Sequence, residues 1–179
     1  MSYARIARRI RVPLGFALAI FYFWFARPTW LSIAIGAGIA LFGVAVRAAA
    51  SGHITKNAAL TTTGPYAYTR NPLYLGSIII GAGFAVAALN WWIVLAIAAL
   101  FLAIYLPVIS SEEEFLRGKF PEFDAYARQV PRLLPRLRKG TDYQGTFSSE
   151  RYRRHREYNA LVGTLAMLAA LAAKLVWFR

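Results

Sequence analysis

An arginine and a run of three acids mark the two ends of a long apolar stretch of this sequence. Gly64–Gly76 is a polar, turn-forming run that carries Arg70 into the start of an apolar segment. Glu112–Glu114 stand where the next apolar segment ends. Ionised side chains at a membrane boundary are costly without partners, so we expect these two groups to bind a ligand that carries charges of its own.

Helical geometry predicts that the three acids do not all face solvent. Three consecutive helical residues sweep about 200° of the circumference, so at least one of Glu112–Glu114 is expected to face the helix bundle. Carboxylates also oppose the dipole at a helix C-terminus. Either the helix continues past Leu116, or the acids are held there for a cationic partner. A plainer alternative is a solvated helix end in which Glu113 pairs with Arg117 one turn later.

The arginine-containing segments also have plain structural interpretations. Arg70 could anchor the membrane interface, with Pro72 as the first residue of a helix. Arg47 lies one turn from the end of its apolar segment and is interpreted first as reaching out to lipid headgroups, with an inward orientation as the alternative. Six glycines on two neighbouring apolar segments favour close helix packing over phosphate binding: Gly36, Gly38, Gly43, Gly76, Gly81 and Gly83.

The composition indicates an integral membrane protein. Of 179 residues, 58% are hydrophobic, yet the formal net charge is +13. Long apolar runs separate the basic residues, which a nucleic-acid-binding surface does not require, so we expect no nucleic-acid partner. The sequence has no cysteine, and its two histidines are too few for a histidine metal site, so no metal site is expected.

Five apolar segments predict an all-α fold, a multi-pass bundle of about five transmembrane helices in a single domain over residues 1–179. A helical or loop segment is expected between the fourth and fifth spans. A span needs about 20 helical residues. The first segment is short, so its helix is predicted to begin within Tyr3–Arg11 and to be retained as a span. The segments are Val12–Ala26, Trp30–Ala50, Leu73–Leu89, Trp91–Ile109 and Ala160–Phe178.

The distribution of basic residues predicts the orientation. Residues 1–11, 51–72 and 110–159 hold four, two and eleven Lys and Arg, seventeen in all, against three on the opposite side. This asymmetry places the N-terminus and both charged groups in the cytoplasm. Heavy use of Ala and Arg indicates a bacterial chain, and hence the inner membrane. We expect the basic residues of 133–158 to bind anionic phospholipids.

A short connection predicts that the two charged groups meet. Little more than Asn90 separates the third and fourth apolar segments. Asn90 tolerates the left-handed conformation that ends a helix, so the two segments are expected to form a tight antiparallel hairpin. That hairpin would bring Arg70 beside Glu112–Glu114 and make one site from two distant segments.

Together these residues resemble a family motif. Leu60–Tyr66, followed by Arg70-Asn71-Pro72-Leu73-Tyr74-Leu75-Gly76, resembles the Arg-His-Pro-x-Tyr-x-Gly motif of the isoprenylcysteine carboxyl methyltransferase and phospholipid methyltransferase superfamily of membrane enzymes. Glu112-Glu113-x-x-Leu116-x-x-x-Phe120, then Tyr126 and Val130-Pro131-Arg132, is similar to its second block. The resemblance covers about residues 60–135. Asn71 stands where the family has histidine, and Pro121 where glycine is usual.

The resemblance implies S-adenosylmethionine as methyl donor, bound on the cytoplasmic side. Carboxylates suit its ammonium and sulfonium, guanidinium groups suit its carboxylate, and an aromatic ring suits its adenine or sulfonium. Arg70, Glu113 and Arg47 are the candidate catalytic residues. The candidate cofactor-binding residues are Tyr66, Arg70, Asn71, Pro72, Tyr74, Gly76, Glu112, Glu113, Tyr126 and Arg132.

The expected methyl acceptor is a lipid or lipidated molecule that enters from the bilayer. The resemblance implies a function most like an isoprenylcysteine carboxyl O-methyltransferase, with phospholipid (ethanolamine) N-methylation as the alternative. Arg70 or Arg47 could orient an acceptor carboxylate, whereas a carboxylate side chain would take the proton of an amine. A sterol-reductase-like enzyme and a small membrane transporter or scaffold are the remaining hypotheses. The glycine-bearing helices could pack within one chain or between chains.

Overall fold

The regular secondary structure in the described part of the chain is entirely helical. A computed structural model describes residues 3–54, 59–136 and 146–177, and these ranges hold seven α-helices and one 3-10 turn, Gly64–Ala67. The prediction of an all-α fold is confirmed. The helices are α1 Tyr3–Phe25, α2 Trp30–His53, α3 Pro72–Ala88, α4 Trp91–Lys119, α5 Phe123–Gln129, α6 Ser149–Arg154 and α7 Tyr158–Trp177.

Five of the helices coincide with the five apolar segments. Among the described residues, α2, α4 and α7 are long and apolar enough to cross a membrane, whereas α3 and the apolar part of α1 are shorter. Large apolar side chains on the outer surface, such as Phe16, Phe42 and Leu102, are more than half exposed, as lipid-facing residues would be. The number of spans stays a prediction. Helix α1 begins at Tyr3, within the predicted range.

Helix α4 carries the three acids because it does not stop at the membrane boundary. It continues past Leu116 to Lys119, which confirms the first of the two alternatives for the acids. A π-helical turn at Phe101–Tyr105 precedes Pro107. Proline lacks the N–H that would bond one turn back, and a wider turn accommodates that loss without ending the helix.

Glycines allow α2 and α3 to approach until their backbones touch. A Cβ added at Gly36 would lie 2.5 Å from the carbonyl oxygen of Gly83, and one at Gly43 would lie 2.7 Å from that of Gly76. The packing interpretation is confirmed for these four residues. It is wrong for Gly38, which has nothing within 4 Å of an added Cβ, because it lies on the outer face of α2.

The ends of the helices away from the acids are tied together by polar groups. The Asn90 amide donates to the Phe25 carbonyl, and its side-chain oxygen accepts from the Trp92 N–H, capping α4. The left-handed residue in this turn is Leu89, with φ 48°, so the expectation that Asn90 adopts that conformation is wrong. Asn90 instead uses its side chain as a helix cap. The Lys174 ammonium on α7 donates to backbone carbonyls at the end of α1.

Substituting Gly83 should destabilise the protein more than substituting Gly38. Gly83→Ala places a methyl group 2.5 Å from the Gly36 carbonyl and 2.6 Å from the Ala40 nitrogen, so α2 and α3 must separate. We expect a loss of about 1–3 kcal/mol in the free energy of unfolding. Thermal unfolding in detergent, followed by tryptophan fluorescence, measures it. Gly38→Ala is the matched control and should be neutral or slightly stabilising; equal melting temperatures for the two variants would contradict the packing assignment.

Candidate functional site

The loop before α3 is fixed by the segment that follows α5. The Arg70 N–H donates to the Pro131 carbonyl at 2.9 Å, and the Arg136 N–H donates to the Tyr68 carbonyl at 3.0 Å. The buried Thr69 hydroxyl donates to carbonyl oxygens of the same segment. The two blocks of the sequence motif are thus joined by backbone hydrogen bonds, as well as by side chains.

Asn71 connects three parts of the chain through one nitrogen atom. Its Nδ2 donates to Glu113 Oε1 at 2.8 Å and to the Arg132 carbonyl at 3.1 Å. An asparagine amide has two hydrogens on that nitrogen, so both are used. Asn71 immediately precedes α3, so these hydrogen bonds join the start of α3 to α4 and to the segment after α5. The family motif has histidine at this position.

The Glu113 carboxylate is the centre of a buried charge network. Glu113 is 9% exposed. Its two oxygens lie 3.3 Å from Arg70 Nε and 3.3 Å from Arg132 Nε. The alternative that paired Glu113 with Arg117 is wrong, because Arg117 turns to Asp124 at 2.8 Å. Two guanidinium groups thus share one carboxylate, which leaves an excess of positive charge.

The two guanidinium groups retain unused hydrogen-bonding capacity. Within the described residues, the buried Nε atoms of Arg70 and Arg132 lie near Glu113 but outside hydrogen-bond geometry. Arg132 Nη2 donates to the Ser110 hydroxyl at 2.6 Å. Both Nε atoms lie in salt-bridge range of Glu113, so it is the one surplus positive charge of the two guanidinium groups that suits the network to a further anion.

Two buried tyrosines form the floor of the site. The Tyr126 hydroxyl donates to the Tyr66 carbonyl at 2.7 Å. Burial raises the pKa of both phenols well above the ordinary value, so both stay neutral and Tyr126 keeps its donated hydrogen. Tyr126 packs with Phe123 and Val130 in a small apolar cluster. Through Tyr126 this cluster holds the loop that precedes α3.

A cavity of about 290 Å³ adjoins the charge network. Its lining combines charged, amide and phenol side chains with the aromatic residues Phe115, Phe120 and Phe123. The cavity collects six of the residues that the sequence singled out: Tyr66, Arg70, Asn71, Glu112, Glu113 and Tyr126.

Five other predicted residues do not line this cavity, and Arg47, one of the five, is described separately below. Pro72 is fully buried as the first residue of α3. Tyr74 packs against Tyr105 on α4, with ring centroids 5.8 Å apart. Gly76 faces α2, and Arg132 reaches the site only through Glu113 and Ser110. The structure therefore gives Pro72, Tyr74 and Gly76 packing contacts.

Arg47 points into the protein, so the interpretation that it reaches out to headgroups is wrong. Its Nε and Nη2 donate to both carboxylate oxygens of Glu157 at 2.7–3.0 Å. Its Nη1 donates to the Ser77 hydroxyl at 2.6 Å and to the Leu73 carbonyl at 3.2 Å. A partly buried partner of opposite charge holds the guanidinium inside the bundle. The sequence analysis did not single out Glu157. The one feature of the sequence that could have drawn attention to it is its place directly after a run of basic residues.

A second, larger cavity of about 1160 Å³ lies between α1, α3, α4 and α7. Its lining is mainly apolar, and Arg47 and Ser77 contribute polar atoms to it. The predicted hairpin is thus correct in its connection, since two residues join α3 to α4. It is less tight than expected, because both helices line this space.

The described part of the basic segment packs against the end of α2. Arg151 Nη1 donates to the His53 carbonyl, and the Ser148 N–H donates to the Gly52 carbonyl. The ring of Phe147 covers Gly52 so closely that an added Cβ there would lie 2.2 Å from it. Residues 137–145 of the predicted lipid-binding segment lie outside the described residues, and binding of phospholipids by the remainder stays a prediction.

Asn71→Asp should disrupt the charge network. The substitution removes both donated hydrogens and places a second carboxylate about 3 Å from Glu113, where like charges repel. We expect a loss of about 2–4 kcal/mol in stability, measured by thermal unfolding in detergent at pH 7. Gln129→Glu adds the same charge at an exposed position of α5 and is the control. An unchanged melting temperature for Asn71→Asp would show that the network does not hold the loop.

The stabilising effect of the Tyr126 hydroxyl should fade in alkali. In the unfolded chain the phenol ionises near pH 10, and in the folded protein its pKa is higher because it is buried. Its contribution is therefore complete below pH 10 and decreases as the pH rises above that value. Tyr126→Phe should cost about 1 kcal/mol at pH 8, and urea or thermal unfolding should show this difference shrinking from pH 10 upwards. A difference that grows with pH would overturn the assignment.

Comparison with known proteins identifies relatives of this chain. The model of a family described as phospholipid methyltransferase matches residues 10–122. The cobalt-zinc-cadmium resistance protein CzcN of Cupriavidus metallidurans is 39% identical over 139 residues, which cover 71% of this chain. The nickel-cobalt-cadmium resistance protein NccN of Alcaligenes xylosoxydans xylosoxydans is 43% identical over 84 residues, which cover 46% of this chain.

The matches to these relatives are partial. The matched parts of the chain span 62% of the length of CzcN and 38% of that of NccN. No solved structure matches the chain. Both relatives are named for resistance to metal ions; in the described part of this chain, no three His, Cys, Asp or Glu side chains are placed to hold a metal ion together.

Proposed function

Because the chain belongs to the phospholipid methyltransferase family, we propose that it is an integral membrane methyltransferase that uses S-adenosylmethionine and a lipophilic acceptor. The observation that carries this proposal is the network in which Arg70 and Arg132 share the Glu113 carboxylate beside a partly aromatic cavity. Such a site offers both signs of charge to a zwitterionic ligand.

The residues present fit the charges of S-adenosylmethionine. Arg70 and Arg132 together carry one positive charge more than Glu113 neutralises, and Arg70 lines the cavity, so Arg70 suits the carboxylate of the methionine part. Glu112 lines the same cavity and is the natural partner for the ammonium or sulfonium. Since Glu113 is already paired, we assign it the role of holding the two arginines in place.

Aromatic side chains give the cavity an apolar wall. Tyr66, Phe115 and Phe123 line it and suit packing against the adenine ring or contact with the sulfonium. The Tyr126 hydroxyl is occupied by the Tyr66 carbonyl. We therefore assign Tyr126 to holding Tyr66 in position rather than to contact with the donor.

The larger cavity suits the acceptor. Its volume of about 1160 Å³ and its apolar lining match a hydrocarbon chain better than a polar metabolite. It is bounded by α3 and α4, the same helices that carry Asn71 and Glu113. An acceptor held there would approach the donor from the membrane side.

For methyl transfer the protein has mainly to align the methyl donor with the acceptor and to exclude water from the site. Bound S-adenosylmethionine supplies the electrophilic methyl group. An acceptor carboxylate needs no proton removed, and the Arg47 guanidinium in the lining of the larger cavity suits its charge, which favours O-methylation as in the isoprenylcysteine enzymes. N-methylation of a phospholipid amine is the second candidate. In that case Glu112 is the carboxylate placed to accept the proton.

Calorimetric titration of S-adenosylmethionine into detergent-purified protein tests the proposal. We expect saturable binding to wild type, a loss of about tenfold or more for Arg70→Ala, since hydrogen bonds to charged groups contribute about 1.5–3 kcal/mol, and no detectable binding for Glu113→Ala. Arg128→Ala and Asp124→Ala remove exposed charges nearby and serve as matched controls.

A second measurement follows the reaction. Protein incubated with methyl-labelled donor and a bacterial lipid extract should place label in the organic phase, in base-labile form for an ester and base-stable form for an amine. Well-folded wild type that does not bind the donor would end the methyltransferase proposal. Transport or scaffolding would then become the leading function.

A further inference from the structure

Arg47, which is ion-paired with Glu157, lines the larger cavity. Arg47 lies on α2 with its side chain 21% exposed, and Glu157 lies in the turn before α7 with its side chain 14% exposed. The guanidinium meets the carboxylate through two nitrogens. Arg47 lines the cavity together with Ser77, whose hydroxyl it contacts. A fixed guanidinium thus stands beside a mainly apolar space.

The fold holds Arg47 more firmly than it holds Glu157. The stem of Arg47 crosses α3 over Gly76, where an added Cβ would lie 2.5 Å from Arg47 Cγ. Its Nη1 is bound by Ser77 and by the Leu73 carbonyl, both on α3. These contacts remain if Glu157 leaves.

Glu157 sits in a turn with an unusual backbone. The preceding residue, Arg156, has φ 53°, a conformation uncommon for a residue with a side chain. The turn links the six-residue helix α6 to α7. A short element and a strained link are easier to displace than a residue in the middle of a long helix.

We propose that Arg47 recognises the anionic group of the lipophilic acceptor, and that Glu157 is a built-in substitute for that anion, which the acceptor's carboxylate or phosphate replaces. The inference rests on the proposed function, because it concerns the acceptor of that reaction. A bidentate guanidinium site accepts either oxyanion, and the adjoining cavity takes the hydrocarbon chain. The occupant is therefore a single-chain or double-chain amphiphile with an anionic headgroup.

Tyr66 connects this ion pair electrostatically with the cavity of about 290 Å³ in which we place S-adenosylmethionine, called the donor cavity below. Burial raises the pKa of Tyr66, the negative charges of Glu157 and Glu112 raise it further, and Arg47 lowers it. Tyr66 thus lies within electrostatic reach of both charge clusters. Tyr66 itself lines the donor cavity.

Binding of labelled palmitate to immobilised, detergent-solubilised protein, without S-adenosylmethionine, tests the inference. In wild type, unlabelled palmitate and hexadecyl phosphate should compete at least about tenfold better than hexadecanol, the equivalent of about 1.4 kcal/mol. Acetate and inorganic phosphate should compete poorly, because they lack the chain. Equal competition by hexadecanol would overturn the inference. Inorganic phosphate that competes as well as the amphiphiles would show a free-anion site and overturn it too.

Two variants test the role of Glu157. Glu157→Gln removes the resident carboxylate and should tighten palmitate binding about tenfold. Asp124→Asn makes the same change of charge in the exposed Arg117–Asp124 pair and should leave it unchanged. Arg47→Lys keeps the charge but lacks the two-pronged geometry, and should lose the preference for palmitate over hexadecanol. Equal palmitate affinities for Glu157→Gln and Asp124→Asn would overturn the role given to Glu157, and a melting temperature lowered only in Glu157→Gln would then assign the ion pair to the stability of the fold.

The outcomes separate this inference from the proposed function. The palmitate experiment needs no methyl donor, and titration of S-adenosylmethionine into Glu157→Gln should match wild type. Donor binding without any anion preference overturns the inference alone. An anion preference without donor binding overturns the methyltransferase proposal and leaves an anionic-amphiphile site.

Discussion

The site depends on the hydrogen bond and the two ion pairs that the buried Glu113 carboxylate makes. An ionised carboxylate out of water costs several kcal/mol unless partners compensate for its lost hydration. Here the partners are Asn71, Arg70 and Arg132, from two other parts of the chain. None of the three segments can be moved without leaving a charge or a donor unpaired. The network therefore fixes the geometry of the adjoining cavity as well as its charge.

Helix packing determines where both charge clusters can lie. Glycines bring the α2 and α3 backbones into contact, and Gly76 leaves the space through which the Arg47 side chain crosses α3. A larger residue at that position would push the guanidinium away from Ser77 and Leu73. The family resemblance assigned Gly76 to the cofactor. In the structure its small size instead makes room for the Arg47 side chain, and so determines where that positive charge lies.

The sequence predicted the parts of this structure that depend on local pattern. Apolar length predicted the helices, and the short connection at Asn90 predicted that Arg70 would lie near the acids. The sequence could not predict that Glu113 pairs with Arg70 rather than Arg117, because both pairings satisfy the spacing. Arg47 and Glu157 are 110 residues apart and carry no shared periodicity. Their pairing depends on how deep each side chain lies in the bundle, which only packing decides.

Helix α3 sets the distance between the two charge clusters. Asn71 precedes its first turn and binds Glu113, and Ser77, six residues later, binds Arg47. At 1.5 Å per residue this places the clusters about 9 Å apart along the helix. An amphiphile whose anion is held at Arg47 would thus have its headgroup less than two helical turns along α3 from the Asn71–Glu113 hydrogen bond. The spacing suits an acceptor whose reacting atom belongs to its anionic group or is bonded next to it. It disfavours an acceptor whose reacting atom lies many bonds away from its anionic group.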